Sequence, residues 1–435
     1  MGKANIDEKF VEPVEKPDVS GIPLESVQTA YDEIDPALQR ALNRKFDLHI
    51  IPWLFGLWLL AFIDRSNIGL ARIDGLSEDL HLDGSGNRFN IALTIFYIPY
   101  ILIDVPSNWF VKRVGAGFYL PGLMISWGIV GLFTGFVKSY AGLLVCRFFL
   151  GLCEGGLLGG MVLYLSMFYR RHDMIFRMGL FYCAAPLSGA VGGLLATGLA
   201  EIRHGGYNRW PWIFIVEGII TVVFGIIAIF FLPHTPSRSR FLSEPERIAA
   251  VMRMKYDAHG SNESTEVDAE AFSWRWVRMA VFNINTWLLS LNFFAIITPI
   301  YSFSLFLPTI ISNLGYTRIT AQLFTVPPNV VGFVTVILGT FLSDRIRSRG
   351  LVMIGGCSLA IIGYVILMVE ARPAVHYGGT FFVASGVFAC SPAVMGWLNN
   401  NLAPHYVRAT GTGLQLAIAN SAAFIATFSY LKKDA

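Results

Sequence analysis

Residues His49–Ala71 read HIIPWLFGLWLLAFIDRSNIGLA, an apolar run whose far end carries Asp64 and Arg65 side by side. A run of about 20 apolar residues is long enough to cross the hydrocarbon of a bilayer as a helix. An Asp or Arg near the centre of such a helix costs about 2.5–3.5 kcal/mol on insertion scales. The stretch therefore reads as a membrane span with one end built for something other than lipid.

Ten further runs of the same kind follow, near 90–111, 118–137, 140–168, 175–200, 211–232, 285–312, 320–342, 351–370, 378–401 and 409–430. The 435 residues are 54% apolar and 14% charged, where a soluble chain would carry roughly a quarter charged residues. The runs are long and continuous with no period of two, which excludes a transmembrane β-barrel. The expected fold class is an all-α polytopic membrane protein embedded in the lipid bilayer.

The net charge of +3 is unevenly spread. With the N-terminus placed in the cytosol, the tail and inner loops hold 22 of the 33 Lys and Arg, the outer connections hold nine, and Arg65 and Arg147 lie inside spans. That asymmetry predicts a cytosolic N-terminus. No apolar segment of signal-peptide type occurs in the first 46 residues. Cys146, Cys153, Cys183, Cys357 and Cys390 all fall within apolar runs, without a CxxC pair or His/Cys cluster, and are expected to be small buried thiols.

The expected organisation is a cytosolic tail over 1–46, a six-helix bundle over 47–232, a cytosolic central loop over 233–275 and a second helix bundle over 276–435. The first 35 or so residues are acidic and Pro-bearing and predict disorder, and PALQRALNRKFD (Pro36–Asp47) predicts a short amphipathic helix. FSWRWVRMAVF (Phe272–Phe282) mixes Trp with Arg as interfacial helices do. A repeat links the halves. NWFVKRVG (Asn108–Gly115) closes the second span and TFLSDRIR (Thr340–Arg347) closes the eighth, with Arg113 opposite Arg345 and Lys112 opposite Asp344. Internal repeats around a midplane site characterise secondary transporters.

Span four supplies the ionisable counterparts of Asp64 and Arg65. In CRFFLGLCEGG (Cys146–Gly156), Arg147 and Glu154 are seven residues apart, sharing a face about 10.5 Å apart along the axis. Arg147 is expected to compensate Asp64, leaving Arg65 to face a cavity with Glu154 a few ångströms below. The competing readings are a purely structural charge cluster, or Asp64 and Arg65 reaching out to the membrane surface. Arg147, Gly151, Gly155 and Gly159 recur every four residues, a strip expected to let another helix approach closely.

These features resemble the major facilitator superfamily: two bundles of six helices, with a G-x-L-x-D-R-x-G-R-R motif between spans two and three. This chain has Asn108 for the motif's Gly and Lys112 for its Asp, and its second copy has Thr340 for the Gly while keeping Asp344 and Arg345. The resemblance assigns Arg113, Asp344 and Arg345 to gating. A complete member has twelve spans, so the sequence is expected to be truncated after the eleventh.

The Asp-Arg-x-Asn of Asp64, Arg65 and Asn67, DVPSNWFVKR (Asp104–Arg113) and the Arg147/Glu154 pair resemble the anion:cation symporter group. YLSMFYRRHDMIFRMGLFY (Tyr164–Tyr182) and WPWIFIVEGI (Trp210–Ile219) resemble its fungal allantoate-permease branch, and WLNNNLAPHYVRATGTGLQLAIAN (Trp397–Asn420) is closest to nicotinate-permease-like members. The resemblance implies proton-coupled uptake of a small organic anion, such as nicotinate, allantoate or a related vitamin-like acid, at the plasma membrane. Arg65 would contact the substrate carboxylate, a planar fork for a planar anion. Asp64 and Glu154 would be the protonation sites, Glu154 the principal one, and Tyr100 would face the substrate.

Other polar residues are candidates for the path. Asn329 follows two prolines in VPPNVVG, where a helix interruption would mark a cavity. Asn399 and Asn400 in span ten, and Gln415 and Asn420 in span eleven, fit substrate contact and interhelical hydrogen bonding equally well, as does Asn329. Glu217 is read as structural. CAAPLSGAVGG (Cys183–Gly193) matches an antiporter motif only loosely.

An intramembrane enzyme would need a nucleophile–base pair or metal cluster, and the eight histidines are scattered without an HExxH. Nothing resembles a repeated selectivity loop of a channel. A non-transporting nutrient sensor and an anion exchanger remain as alternatives to symport. No cofactor, metal or nucleic acid is expected, and the fold usually works as a monomer.

Overall fold

The computed structural model describes residues 36–82, 87–199, 209–259, 274–316, 318–346, 348–369, 372–402 and 405–428. The acidic segment expected to be disordered lies outside them. Every regular element among the described residues is helical.

The first apolar run forms α1, Pro36–Ala71, which continues through a π-helical turn, Arg72–Leu76, into Ser77–Asp79. Pro36–Asp47 is thus the first part of the spanning helix rather than a separate short one, and the division expected at 46/47 falls inside α1. Its faces explain this: Leu42, Phe46 and Ile50 are fully buried, a helical stripe continuous with Leu54 and Leu57. Span two is α2, Arg88–Val114, and span three α3, Ala116–Thr134. Only Gly115, at φ +86°, separates them, a conformation that favours glycine.

Span four is divided into α4, Tyr140–Glu154, and α5, Leu157–Phe168, with Gly156 at φ +81° in the break. Span five is α6, Arg171–Tyr182, and α7, Ala184–Leu199; span six is α8, Arg209–Phe231. The central connection contains α9, Glu244–His259, and α10, Trp274–Phe282. Span seven is α11, Ile284–Asn313. Span eight is α12, Arg318–Phe324, and α13, Val326–Ile346, interrupted at Thr325 just before Pro327 and Pro328. The last spans are α14, Arg349–Met368, α15, Pro373–Asn401, and α16, His405–Phe428. Among the described residues nine helical stretches have both the length and the hydropathy of a span, and α2 and α16, of 27 and 24 residues, complete the eleven passes expected.

The helices pack as two bundles. In the first, α1 lies against α6, α7 and α8, α2 against α4, and α3 against α4 and α8. In the second, α15 lies against α11, α13 and α14, and α11 against α16. Between bundles, span two meets span eleven, span eight meets span five, and span one meets span seven. Advancing each span by six turns the first of these contacts into the second and leaves the third unchanged. This is the pseudo-two-fold arrangement that an internal repeat produces.

The α9 helix was not foreseen in the loop. It docks on the first bundle through Arg253, whose Nη1 donates to Asn43 Oδ1 (2.7 Å) and Nη2 to the Phe168 carbonyl (2.6 Å). Lys45 donates to Glu246 at 2.6 Å.

Candidate functional site

Span one runs away from the Pro36 side of the membrane and span four runs back. Side chains on a helix lean toward its own N-terminus, so antiparallel neighbours carry long side chains in opposite directions. This decides the ion pairing. Arg65 leans back toward the middle of the bundle, where its Nε donates to Glu154 Oε1 at 2.5 Å. Both side chains are buried, Arg65 6% exposed and Glu154 0%. Arg147 leans the other way and lies over the Phe214 ring, 5.9 Å from its centroid.

The expected Asp64–Arg147 pair is therefore not the one formed. Asp64 Oδ2 instead accepts from Trp127 Nε1 at 3.0 Å, and the Nε and Nη2 of Arg147 have no hydrogen-bond partner among the described residues. Arg147 remains an electrostatic neighbour of Asp64. The strip on span four does bring a helix close. A Cβ on Gly151 would run into the Phe96 carbonyl of α2, and one on Gly155 into Ile103 and the Tyr100 carbonyl. Span two is thereby held against Glu154, carrying Tyr100 to the guanidinium.

Arg65 faces a narrow cavity between the bundles. Trp58, Phe62, Tyr100, Tyr182, Tyr301 and Asn420 are among the residues that line it. Tyr100 lies 4.7 Å and Phe62 5.2 Å, centroid to guanidinium carbon, from Arg65, placing ring faces against a desolvated cation. Tyr301 donates to Asn420 Oδ1 at 2.7 Å, closing the far wall from the second bundle. The Nη2 of Arg65 has no hydrogen-bond partner among the described residues, nor has Glu154 Oε2. A second narrow cavity adjoins the first at Ala185, which lines both, and Asn329 lies in its wall beside the break in span eight.

Of the residues singled out in the sequence, Arg65, Tyr100 and Asn420 meet in one cavity, with Asp64 and Glu154 buried beside it. Asn329 faces the adjoining one. Asn67 is fully buried and lines neither cavity; it faces the Gly192 region of span five, and its amide has no hydrogen-bond partner among the described residues. Gln415 Nε2 donates to the Leu289 carbonyl at 3.3 Å, tying span eleven to span seven as an interhelical hydrogen bond. The side chains of Asn399, Asn400 and Asp344 lie outside the described residues. Arg113 and Arg345 are exposed at the ends of α2 and α13, on the Pro36 side.

The sequence reading passed over Trp58, Trp127, Tyr182 and Tyr301. Aromatic residues with polar tips are common in spans, and only the packing separates those facing a cavity from those facing lipid. Glu217, read as structural, is buried in α8 and is an electrostatic neighbour of Asp64. Neither of its carboxylate oxygens has a hydrogen-bond partner among the described residues.

The profile of the Major Facilitator Superfamily matches residues 54–427. The chain is 36% identical over 407 residues to the uncharacterized transporter C11D3.18C of Schizosaccharomyces pombe, covering 94% of this chain and 80% of that one. It is 34% identical over 417 residues to the MFS-type transporter efuF of Hormonema carpetanum, covering 94% of this chain and 82% of the relative. Its fold matches the structure of the proton:xylose symporter XylE with a TM-score of 0.71 at 16% identity, covering 89% of this chain and 88% of the symporter. With its two bundles, central cavity and repeat, this chain belongs to the Major Facilitator Superfamily of multi-pass membrane transporters.

Proposed function

We propose that this transporter takes up a small organic anion together with a proton, by alternating access of the central cavity to the two sides of the membrane. The observation that carries the reading is Arg65: a buried guanidinium on the cavity wall, paired through Nε to a single carboxylate, with Nη2 open. A substrate carboxylate offers that fork two parallel charge-assisted hydrogen bonds. Taking them separates Arg65 from Glu154. An isolated carboxylate in a dry cavity is costly, so Glu154 binds a proton as the anion binds. The cavity then holds the same net charge loaded as empty, which lets the loaded bundles rock without carrying an extra charge through the bilayer.

Asp64 tunes the site beside this exchange through its hydrogen bond to Trp127. Arg147 offsets its charge from span four, and Arg113, Asp344 and Arg345 act at the inner gate. The uneven Lys and Arg distribution supports a cytosolic N-terminus, and the resemblance to the anion:cation symporters supports a plasma-membrane location and a monomeric carrier. Nicotinate, allantoate and related vitamin-like acids are the substrate class.

The test is uptake of labelled nicotinate, allantoate and pantothenate in transporter-null yeast at external pH 5 and 7.5, with and without a protonophore. The reading expects acid-stimulated, protonophore-sensitive uptake of at least one acid, reduced to background by Arg65→Ala. Uptake that survives Arg65→Ala would reduce the charge cluster to a structural role. Anion uptake insensitive to pH and protonophore, but driven by internal anion, would favour exchange. Binding without flux would favour a sensor.

A further inference from the structure

The second cavity is unlike the first in its chemistry. Ser66, Ser188, Ser304, Thr325 and Asn329 line it, and among the described residues no charged side chain does. Four of these five groups donate a hydrogen to the backbone of their own span. Ser66 Oγ donates to the Ile63 carbonyl (3.1 Å), Ser188 Oγ to the Ala185 carbonyl (2.6 Å) and Thr325 Oγ1 to the Gln322 carbonyl (2.6 Å). Asn329 Nδ2 donates to the Thr325 carbonyl at 2.8 Å.

A hydroxyl has one hydrogen and two lone pairs. Once its hydrogen is committed to the helix backbone, the oxygen can only accept. Back-bonding of this kind is common for Ser and Thr in helices, and taken singly it carries no message. Here three such hydroxyls and the Asn329 amide oxygen surround one compartment that shares Ala185 as a wall with the cavity of Arg65. The compartment is neutral and rich in acceptors. It complements N–H and O–H donors. A second carboxylate would meet many lone pairs and no cation, and an aromatic ring nitrogen would find as donors only the Ser304 hydroxyl and the second N–H of Asn329.

We propose that the second cavity is a subsite for the far end of the substrate, and that it selects monocarboxylic acids bearing an amide N–H or hydroxyl. The inference rests on Arg65 holding the carboxylate. The acid then lies along the aromatic wall of Trp58 and Tyr100, and its donor group passes Ala185 to reach Ser66, Ser188 and Asn329. Among small acids this orders the preferred class: amides and hydroxy acids above pyridine carboxylates, and both above dicarboxylates.

Three probes of nearly one shape test it on the purified full chain, by ligand-dependent thermal stabilisation. Succinamate carries a carboxylate and a terminal amide. Levulinate replaces the amide nitrogen by a methyl group, which removes the donors at almost constant size. Succinamide keeps the donors and lacks the charge. Succinamate is expected to bind about tenfold more tightly than levulinate, the value of roughly one well-made buried hydrogen bond. That ratio is expected to fall toward one in Ser188→Ala and in Asn329→Leu, the first a small change that keeps the fold if the second does not.

Equal affinity for succinamate and levulinate, binding of neither, or a ratio unchanged in both variants would overturn the subsite. Succinamide reports on the other premise. If it binds as well as succinamate while levulinate stays weak, the donor subsite stands and the carboxylate role of Arg65 falls.

Discussion

Arg65 and Glu154 form a buried ion pair with one open nitrogen and one open oxygen. Removing one member of such a pair leaves the other charge uncompensated, which typically costs about 3–5 kcal/mol, whereas removing both costs less. Arg65→Gln and Glu154→Gln are therefore expected to be non-additive in thermal unfolding, with a coupling of about 2 kcal/mol. The Asp64→Asn and Arg147→Gln cycle should give less than half of that, because Asp64 takes its hydrogen bond from Trp127. A larger coupling in the second cycle would restore the pairing suggested by charge alone. The four charged residues were visible in the sequence as ions out of place in apolar runs. Their partners were not, because residues adjacent in sequence point about 100° apart and the lean of each side chain depends on the direction of its helix.

At the scale of elements, the spacing of glycines on span four has a measurable consequence. Gly151→Ala places a Cβ against the Phe96 carbonyl of α2, a backbone atom that can move only with its helix. A loss of about 1–3 kcal/mol is expected. Gly122 in α3 has open space where its Cβ would stand, so Gly122→Ala should be neutral or stabilising by up to about 1 kcal/mol. Thermal unfolding in detergent distinguishes the two, and equal effects would refute the close packing of spans two and four. The spans themselves were legible because length and continuous hydrophobicity are local properties. The interruptions were legible only in part: Pro327 and Pro328 flagged the break in span eight, whereas the turn at Gly156, beside the glycine strip of span four, was not foreseen. The α9 helix was missed because its anchor, Arg253 reaching Asn43 and the Phe168 carbonyl, spans residues far apart in the chain. A Lys45 hydrogen bond holds the Glu246 carboxyl below its ordinary range. That contribution to docking is present above the ordinary carboxylate range and is lost as pH falls through the lowered value; amide exchange across α9 should show it as faster opening in acid.

At the scale of the whole molecule, the two bundles meet on both sides of the cavities. Away from the Pro36 side, Gln322 Nε2 donates to Asp74 Oδ2 at 2.9 Å and the hydroxyls of Thr94 and Thr427 are 3.0 Å apart. Toward the Pro36 side, Gly179 of span five lies against Thr340 of span eight. The first set joins the bundles on one side of the cavities and the second set on the other, with Arg65 and Glu154 between. In the proposed cycle, rocking breaks one set at a time and the charge in the middle decides when. The most direct test separates rocking from proton coupling, comparing wild type with Glu154→Gln at matched amounts of protein in the membrane. The chain is reconstituted in vesicles and supplied with a labelled acid that it carries. The account predicts that Glu154→Gln keeps exchange of external for internal acid while losing accumulation driven by an inward proton gradient. Proton-driven accumulation that persists in Glu154→Gln would contradict it.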